Sequence, residues 1–254
     1  GSTHLYGGFS SGTGAATGNM LKVTTSNNGT ASISNFEKMH FVLGTGIHSS
    51  DTMLHAWHIN GTLDWSKITV ENGAAWASNS EESKRVRLFM TDSPFNLTNY
   101  TAPTGIVSGN HEYAITSDAV GTGNVTASNI YFDSNKFQNA TVTVTSAPTG
   151  TNVYGGRSDF GNTTKKNKLT LNGITWTGQA YGGLTRSMVG ASTENEVVLT
   201  GGTAITGLVV GGYTAGSGAA TKNTITLSGL NGMALTHLYG GYSTGGGDDV
   251  TGNT

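Results

Sequence analysis

Gln179-Ala180-Tyr181-Gly182-Gly183 is one of five related stretches in a chain of 254 residues. The first glycines of the last four copies are separated by 27, 29 and 29 residues. A period in this range is typical of solenoid proteins, in which each repeat packs only on its neighbours. The five copies are Thr3–Gly8, Asn152–Gly156, Gln179–Gly183, Leu208–Gly212 and Thr236–Gly241.

Each repeat continues with an alternating run that begins at an asparagine, such as Asn167-Lys168-Leu169-Thr170-Leu171. Alternation of apolar and polar residues is the period of a β-strand. A glycine and another apolar patch follow, for example Gly173 before Ile174 and Trp176. Each repeat therefore predicts three short strands and three turns, which make one coil of a parallel β-helix. We interpret the glycine pair as a strand end that enters a turn with unusual backbone angles.

The asparagines that open these runs lie 12 or 13 residues after the first glycine of each motif. We expect their side chains to stack along the solenoid axis as an amide ladder, bonded to one another or to turn backbone. A ligand-binding stripe of asparagines is the alternative interpretation. The predicted column comprises Asn19, Asn167, Asn195, Asn223 and Asn253.

The repeat pattern divides the chain into three segments. Residues 3–35 predict the first coil or coils, and residues 146–254 predict the regular repeats of 27–29 residues. Residues 36–145 lack the glycine pairs, but alternating stretches such as Lys84–Met90 still indicate strands. We expect this irregular middle segment to be continuous with the solenoid, and the alternative is a small β-rich excursion from its side.

Composition narrows the possible functions. The chain has 39 glycines, 11% charged residues and a net charge of −2, so no basic surface indicates nucleic-acid binding. It has no cysteine, which excludes disulfides, thiol catalysis and thiolate metal sites. No apolar run approaches the length of a membrane span. We expect no cofactor and no metal.

The glycine-pair units and their asparagine-led strands resemble the passenger regions of autotransporter (type V secreted) adhesins of Gram-negative bacteria. The segment Asn35–Phe41, followed by Asp51–Leu54 and Trp65–Val70, is also similar to these proteins. The resemblance implies a right-handed parallel β-helix, display at the cell surface, and attachment to host or bacterial surfaces. It also implies anchoring in the outer membrane through a C-terminal translocator outside these 254 residues. It carries over no defined binding residue.

Aromatic residues are the candidate ligand-binding groups. Tyr154, Tyr181 and Tyr239 hold one position of the motif, so they form a stripe that suits sugars or a protein partner if it faces outward. The alternative is a structural stack that seals a turn. Three tryptophans lie close together in the middle segment and form either a binding surface or its local core. They are Trp57, Trp65 and Trp76.

Other motifs favour no catalytic or metal chemistry. His55 and His58 are three residues apart, so on a strand they point to opposite faces and cannot chelate one ion together. The stretch Gly245–Asp249 is similar to calcium-binding turns but occurs once, whereas such turns need repetition. The fifteen acidic residues are scattered, without the paired carboxylates that glycoside hydrolysis needs.

Three functions remain after this reading. The first is a fragment of a secreted bacterial adhesin that is not an enzyme and binds a host or bacterial glycan or protein. The second is a β-helical polysaccharide lyase or hydrolase. The third is a structural stalk or self-associating rod. Any binding specificity is expected between Phe36 and Thr145, where the repeat fails.

Overall fold

The computed structural model of the chain describes residues 3–8, 17–78, 84–148, 152–186, 188–230, 235–245 and 250–254. Nearly all regular structure is β, and its parallel strands stack as a solenoid. The predicted fold class, an all-β parallel β-helix with an irregular middle segment, is confirmed. Contacts divide the chain into two compact units, the first of residues 1–77, 84–104 and 113–134 and the second of the remainder.

The first unit contains the parallel strand order β1-β3-β5-β8, which belongs to a larger mixed sheet, and the parallel sheet β2-β4-β7. These strands are β1 (His4–Tyr6), β2 (Met20–Val23), β3 (Asn28–Ser34), β4 (Lys38–Val42), β5 (Thr52–Asn60), β6 (Thr62–Asp64), β7 (Ile68–Glu71) and β8 (Lys84–Tyr100). A 3-10 helix (Trp65–Lys67) precedes β7, and the short helix α1 (Gly73–Ser78) follows it. Parallel stacking therefore continues well beyond residue 36.

The irregularity of the middle segment comes from antiparallel pairing. The strands that follow β8 are β9 (Ile106–Ser108), β10 (His111–Ser117) and β11 (Gly123–Lys136). β11 pairs antiparallel with β8 and places Ile130 opposite Phe89 and Phe132 opposite Val86, with several register shifts. These side chains are buried with Phe41 in the core of the first unit. The segment boundaries drawn from the repeat pattern stay a prediction.

The second unit contains the regular coils, each with three strands as predicted. Its strands are β12 (Thr141–Val144), β13 (Asn152–Ser158), β14 (Thr164–Lys165), β15 (Lys168–Asn172), β16 (Thr175–Thr185), β17 (Ser192–Thr193), β18 (Glu196–Thr200), β19 (Ala204–Thr214), β20 (Ala220–Thr221), β21 (Thr224–Leu227) and β22 (His237–Ser243). They form three parallel sheets, of order β12-β15-β18-β21, β13-β16-β19-β22 and β14-β17-β20.

Equivalent apolar residues of successive coils lie side by side in the core of the second unit. Leu169 pairs with Val197 and Leu171 with Leu199, and all four side chains are fully buried. Burying each of them contributes roughly 1.5–3 kcal/mol. The strand alternation read from the sequence therefore identifies these inward positions correctly.

The asparagine ladder, defined as Asn167, Asn195, Asn223 and Asn253, runs through the second unit as predicted. Asn195 is typical of it: its Oδ1 accepts from the backbone N–H of Asn167 at 3.1 Å and from the Nδ2 of Asn167 at 2.8 Å. Its own Nδ2 donates to the Oδ1 of Asn223 at 3.0 Å and to the carbonyl of Thr164 at 3.2 Å. Each buried amide is thus satisfied by the coils on both sides.

The inclusion of Asn19 in the ladder was wrong. β2 pairs with β4 so that Met20 lies opposite Lys38, and the residue beside Asn19 in the next coil is therefore Glu37. The carbonyl of Asn19 accepts from the backbone N–H of Glu37, but its Nδ2 has no hydrogen-bond partner among the described residues. A ladder needs an asparagine at the same register in the next coil, and the first unit does not supply one here.

The interpretation of the glycine pairs as turns was also wrong. Gly182 and Gly183 lie within β16, and neither has a left-handed backbone. A methyl group on Gly183 would lie 2.5 Å from Cγ and Nδ2 of Asn195, and one on Gly182 would meet the carbonyl oxygen of Gly211. The pair is therefore required by close approach, to the ladder and to the neighbouring coil. The positive φ values lie elsewhere in the repeat, at a later glycine, for example 69° at Gly173, and at the residue before the ladder asparagine, for example 56° at Glu194.

We expect Asn195→Ala to lower the free energy of unfolding by about 3 kcal/mol, because it leaves two donors of Asn167 buried without an acceptor. Urea denaturation followed by circular dichroism measures the change. Asn96→Ala, at an exposed position of β8, is the matched control and should stay within about 0.5 kcal/mol of the parent protein. Equal stability of the two variants would contradict a structural ladder.

We expect Gly183→Ala to destabilise by about 2 kcal/mol or more, because its methyl group overlaps the Asn195 amide. In the Asn195→Ala background the same substitution should cost less, since the amide that it meets has gone. Gly29→Ala is the control, because a methyl group there meets no atom within 4 Å. Additive effects of the two substitutions in a double-mutant cycle would contradict the claim that Gly183 is required by the Asn195 amide.

Candidate functional site

The motif tyrosines lie on the outer face of the sheet β13-β16-β19-β22. Tyr154, Tyr181, Val210 and Tyr239 form one row in register. The preceding residue of each strand points the other way, and Val209 is fully buried in the core. The row therefore faces away from the core, but its middle members are covered by their neighbours. Tyr181 is 6% exposed and Val210 is fully buried, so the row is also a packed stack.

A second outward row accompanies the first and was missed in the sequence. It consists of Arg157, Leu184, Tyr213 and Tyr242, which are in register across the same four strands. Ordinary alternation does not place residues three apart on one face, but the two glycines between the rows occupy the inner side and shift the alternation. The signal that was available is the large residue directly after each glycine pair.

Five tyrosines from these rows make a connected set of rings, the tyrosine cluster. Tyr154 stacks on Tyr181 with 5.6 Å between ring centroids, and Tyr213 stacks on Tyr242 at the same spacing. Tyr181 meets Tyr213 edge to face, at 74°, and Tyr239 lies 4.9 Å from Tyr242. Such ring pairs contribute about 0.5–1.5 kcal/mol each beyond their buried area. The edge-to-face pair creates a corner in an otherwise stacked surface.

A groove of about 320 Å³ opens at this corner, and we call it the tyrosine groove. Its volume lies at the lower end of the range for small-ligand sites, roughly 300–1,000 Å³. Apolar ring and aliphatic surface alternates in it with two amides and one guanidinium. The described residues that line it are Asn152, Tyr154, Gln179, Tyr181, Leu184, Arg186, Tyr213 and Ala215.

The Tyr181 phenol is fixed as a neutral donor in the groove. Its hydroxyl donates to the Oε1 of Gln179 at 2.7 Å. Burial, followed by the nearby phenols of Tyr154 and Tyr213, raises the pKa of Tyr181 to about 12. Because Oε1 of Gln179 is engaged, the amide nitrogen of that residue is the group that remains to donate to a ligand.

The charged groups at the edge of the groove are unequally paired. Arg157 holds Asp159 through two contacts, with its Nε 3.0 Å from Oδ1 and its terminal nitrogen 2.6 Å from Oδ2. Arg186 approaches the same carboxylate only to 3.9 Å. Its side chain is half exposed and lines the groove. One carboxylate is therefore shared by two guanidinium groups, and Arg157 has the closer contact.

No protein-family model, curated protein or solved structure matches this chain. The residues of the tyrosine groove therefore provide the basis for a functional proposal.

The three candidate tryptophans do not form one exposed surface. Trp76 is buried in α1, and its Nε1 donates to the carbonyl of Ile47 at 2.9 Å. Trp65 packs against the core of the first unit and lies edge to face with Tyr100. Trp57, at 56% exposure, is the one of the three that a ligand can reach.

The remaining candidate sites give no ligand cluster. His55 pairs with Asp92 at 2.7 Å between Nε2 and Oδ1. No group of three or more His, Asp or Glu side chains within the described ranges is placed to hold a metal ion. The calcium-turn candidate Gly245–Asp249 lies mostly outside the described residues. No helix in the described part of the chain has the length and apolarity to cross a membrane.

We expect Tyr181 to ionise as the pH rises towards about 12, above the ordinary tyrosine value of about 10. The unfolded chain loses this proton first. The stability contributed by Tyr181 is therefore fully present below pH 10 and is lost as the pH rises through the folded pKa. Titration of the phenolate ultraviolet absorbance tests this: Tyr181→Phe should remove a late component, and Tyr6→Phe should retain it. Burial also raises the pKa of Tyr100, so both variants are made in a Tyr100→Phe background. A late component that survives Tyr181→Phe in that background would contradict the assignment.

Proposed function

We propose that this chain is the binding region of a cell-surface adhesin of the autotransporter passenger type, and that it attaches through the tyrosine groove to surface glycans. The observation that carries the proposal is the groove itself. Its ring surfaces suit the C–H faces of sugars, and its amides suit their hydroxyls. The groove lies in the regular repeats, away from the middle segment that the sequence favoured.

A saccharide fits the groove better than an apolar ligand does. The accessible apolar surface comes mainly from the partly exposed rings of Tyr154 and Tyr213, because Tyr181 and Leu184 are buried. Polar groups are distributed around it at Asn152, Gln179 and Arg186. A few placed polar groups over a mostly apolar lining are what fix the orientation of a bound ligand. Because the groove is open, it admits one or two sugar rings of a longer chain.

Binding without turnover is part of the proposal. Glycoside hydrolysis uses two carboxyl groups on either side of the scissile bond. None of the eight described lining residues is acidic. The carboxylate beside the groove, Asp159, is engaged by Arg157. These observations favour an adhesin over a glycoside hydrolase.

A stalk or self-associating rod is supported by the solenoid core alone, since stacked coils need nothing more. The contacts between the five tyrosine rings also stabilise a rod, but a rod does not need the groove that lies between them. The adhesin proposal accounts for both features. It includes display outside the cell, anchored through a translocator beyond these residues, and a glycan on a host or bacterial surface as partner. It includes no nucleic-acid partner.

We expect Tyr213→Ala to weaken glycan binding at least tenfold, because it removes one wall of the groove, and tenfold corresponds to about 1.4 kcal/mol. A glycan array, followed by calorimetry with the best ligand, measures this. Tyr6→Ala is the control, since Tyr6 is an exposed tyrosine of the first unit that precedes its glycine pair, whereas Tyr213 follows its own pair. Failure of the parent protein to bind any glycan, or equal binding by Tyr213→Ala, would overturn the proposal.

A further inference from the structure

We infer that the tyrosine groove selects sugars that carry a carboxylate, with Arg186 as the residue that recognises the acid. The inference rests on the proposed function, and it adds the chemical class of the ligand. Arg186 is the one charged residue among the eight described lining residues. A guanidinium presents a planar fork of N–H groups that matches a carboxylate in a bidentate geometry.

Asp159 is held closely by Arg157, and the guanidinium of Arg186 has no equally close partner among the described residues. Oδ2 of Asp159 accepts from Arg157 at 2.6 Å, and the Nδ2 of Asn135 lies 3.3 Å from the same oxygen. Oδ1 accepts from Nε of Arg157 at 3.0 Å, whereas Nε of Arg186 is 3.9 Å away from it. A separation of 3.9 Å is beyond a hydrogen bond. The Arg186 contact is therefore an electrostatic approach, and within the described part of the chain it does not engage the guanidinium N–H groups of Arg186 in a hydrogen bond.

The buried side chain of Glu112 holds the loop that carries Asp159. Glu112 is fully buried, and its Oε1 accepts from the backbone N–H of Asp159 at 2.7 Å. Its Oε2 accepts from Oγ of Ser158 at 2.9 Å and from Nδ2 of Asn162 at 2.6 Å. Neutral donors thus surround this carboxylate in the interior. It fixes the loop that carries Asp159, and Asp159 in turn fixes Arg157 rather than Arg186.

The other groups of the groove specify a sugar as the carrier of the acid. With a carboxylate on Arg186, the attached ring lies against the corner between Tyr181 and Tyr213, over Leu184. Its hydroxyls then face the amides of Asn152 and Gln179. An acidic peptide also satisfies the guanidinium and has backbone groups for the two amides, but it lacks the C–H face of a sugar ring that the tyrosine rings suit. The observations therefore favour an acidic saccharide.

Matched pairs of ligands test the inference. The probes are a galacturonic acid trisaccharide with its carboxyl-reduced galactose counterpart, and sialyllactose with lactose. Calorimetry on the whole chain should show at least one acidic member binding about tenfold more tightly than its neutral partner. The preference should shrink as salt is added, because the site is partly exposed.

Variants locate the preference. Arg186→Gln should abolish the acidic preference, so that the acidic and neutral members of each pair bind with equal affinity. Lys222→Gln removes the same charge from an exposed position elsewhere in the second unit and should leave the preference unchanged. Circular dichroism checks that both variants are folded. Tyr213→Ala should weaken acidic and neutral ligands alike.

The outcomes separate the inference from the proposed function. Equal affinity for both members of each pair, or an acidic preference that survives Arg186→Gln, overturns the inference and leaves glycan binding standing. Tighter binding of a poly-glutamate peptide than of either acidic sugar, lost in Arg186→Gln, also overturns it. Absence of binding to every glycan in the array overturns the proposed function and the inference with it.

Discussion

The close approach of strand backbone to the asparagine ladder is the constraint on which the second unit depends. Each ladder amide donates to and accepts from the neighbouring coils, so it must lie at a fixed depth inside the coil. At that depth it occupies the space where a side chain of the facing strand would lie, and a glycine is the residue that leaves this space open. A side chain is also excluded at the first glycine, as at Gly182, because the carbonyl oxygen of the next coil occupies the position of its Cβ. The glycine pair and the asparagine ladder therefore require each other.

The same constraint generates the outer surface. Because two consecutive positions of the strand carry no side chain, the residues on both sides of the glycine pair turn outward, and two parallel rows result. Rows on stacked parallel strands repeat at the strand spacing of about 4.8 Å, which is close enough for neighbouring rings to touch. Tyr181 thus reaches Tyr154 in its own row and Tyr213 in the other. The tyrosine groove exists where the stacked arrangement changes to an edge-to-face contact.

The features that depend on period and alternation could be predicted from the sequence. The coil length, the three strands and inward residues such as Leu169 follow from local pattern, because each coil meets an almost identical neighbour. Asn19 could not be excluded in this way, since its position in the motif is correct and only the pairing register of β2 with β4 places Glu37 beside it. The sequence predicted only part of the groove. Tyr154 and Tyr181 could be found because they repeat, whereas Arg186 and Gln179 become neighbours only through the fold. Trp76 likewise appeared available for binding until its indole was found bonded to Ile47 in the core.

The separation of interior and exterior requirements also explains how such a solenoid can carry a specific site. Inside, Asn195 and Gly183 depend on each other, and neither can change alone. Outside, the equivalent positions hold Arg157, Leu184 and Tyr213 in three successive coils, with no common chemistry. A side chain there contacts its row neighbours and solvent, so its replacement leaves the ladder intact. The coils therefore act as a uniform frame, and the identity of each outward residue determines where on that frame a groove forms and which ligand chemistry it fits.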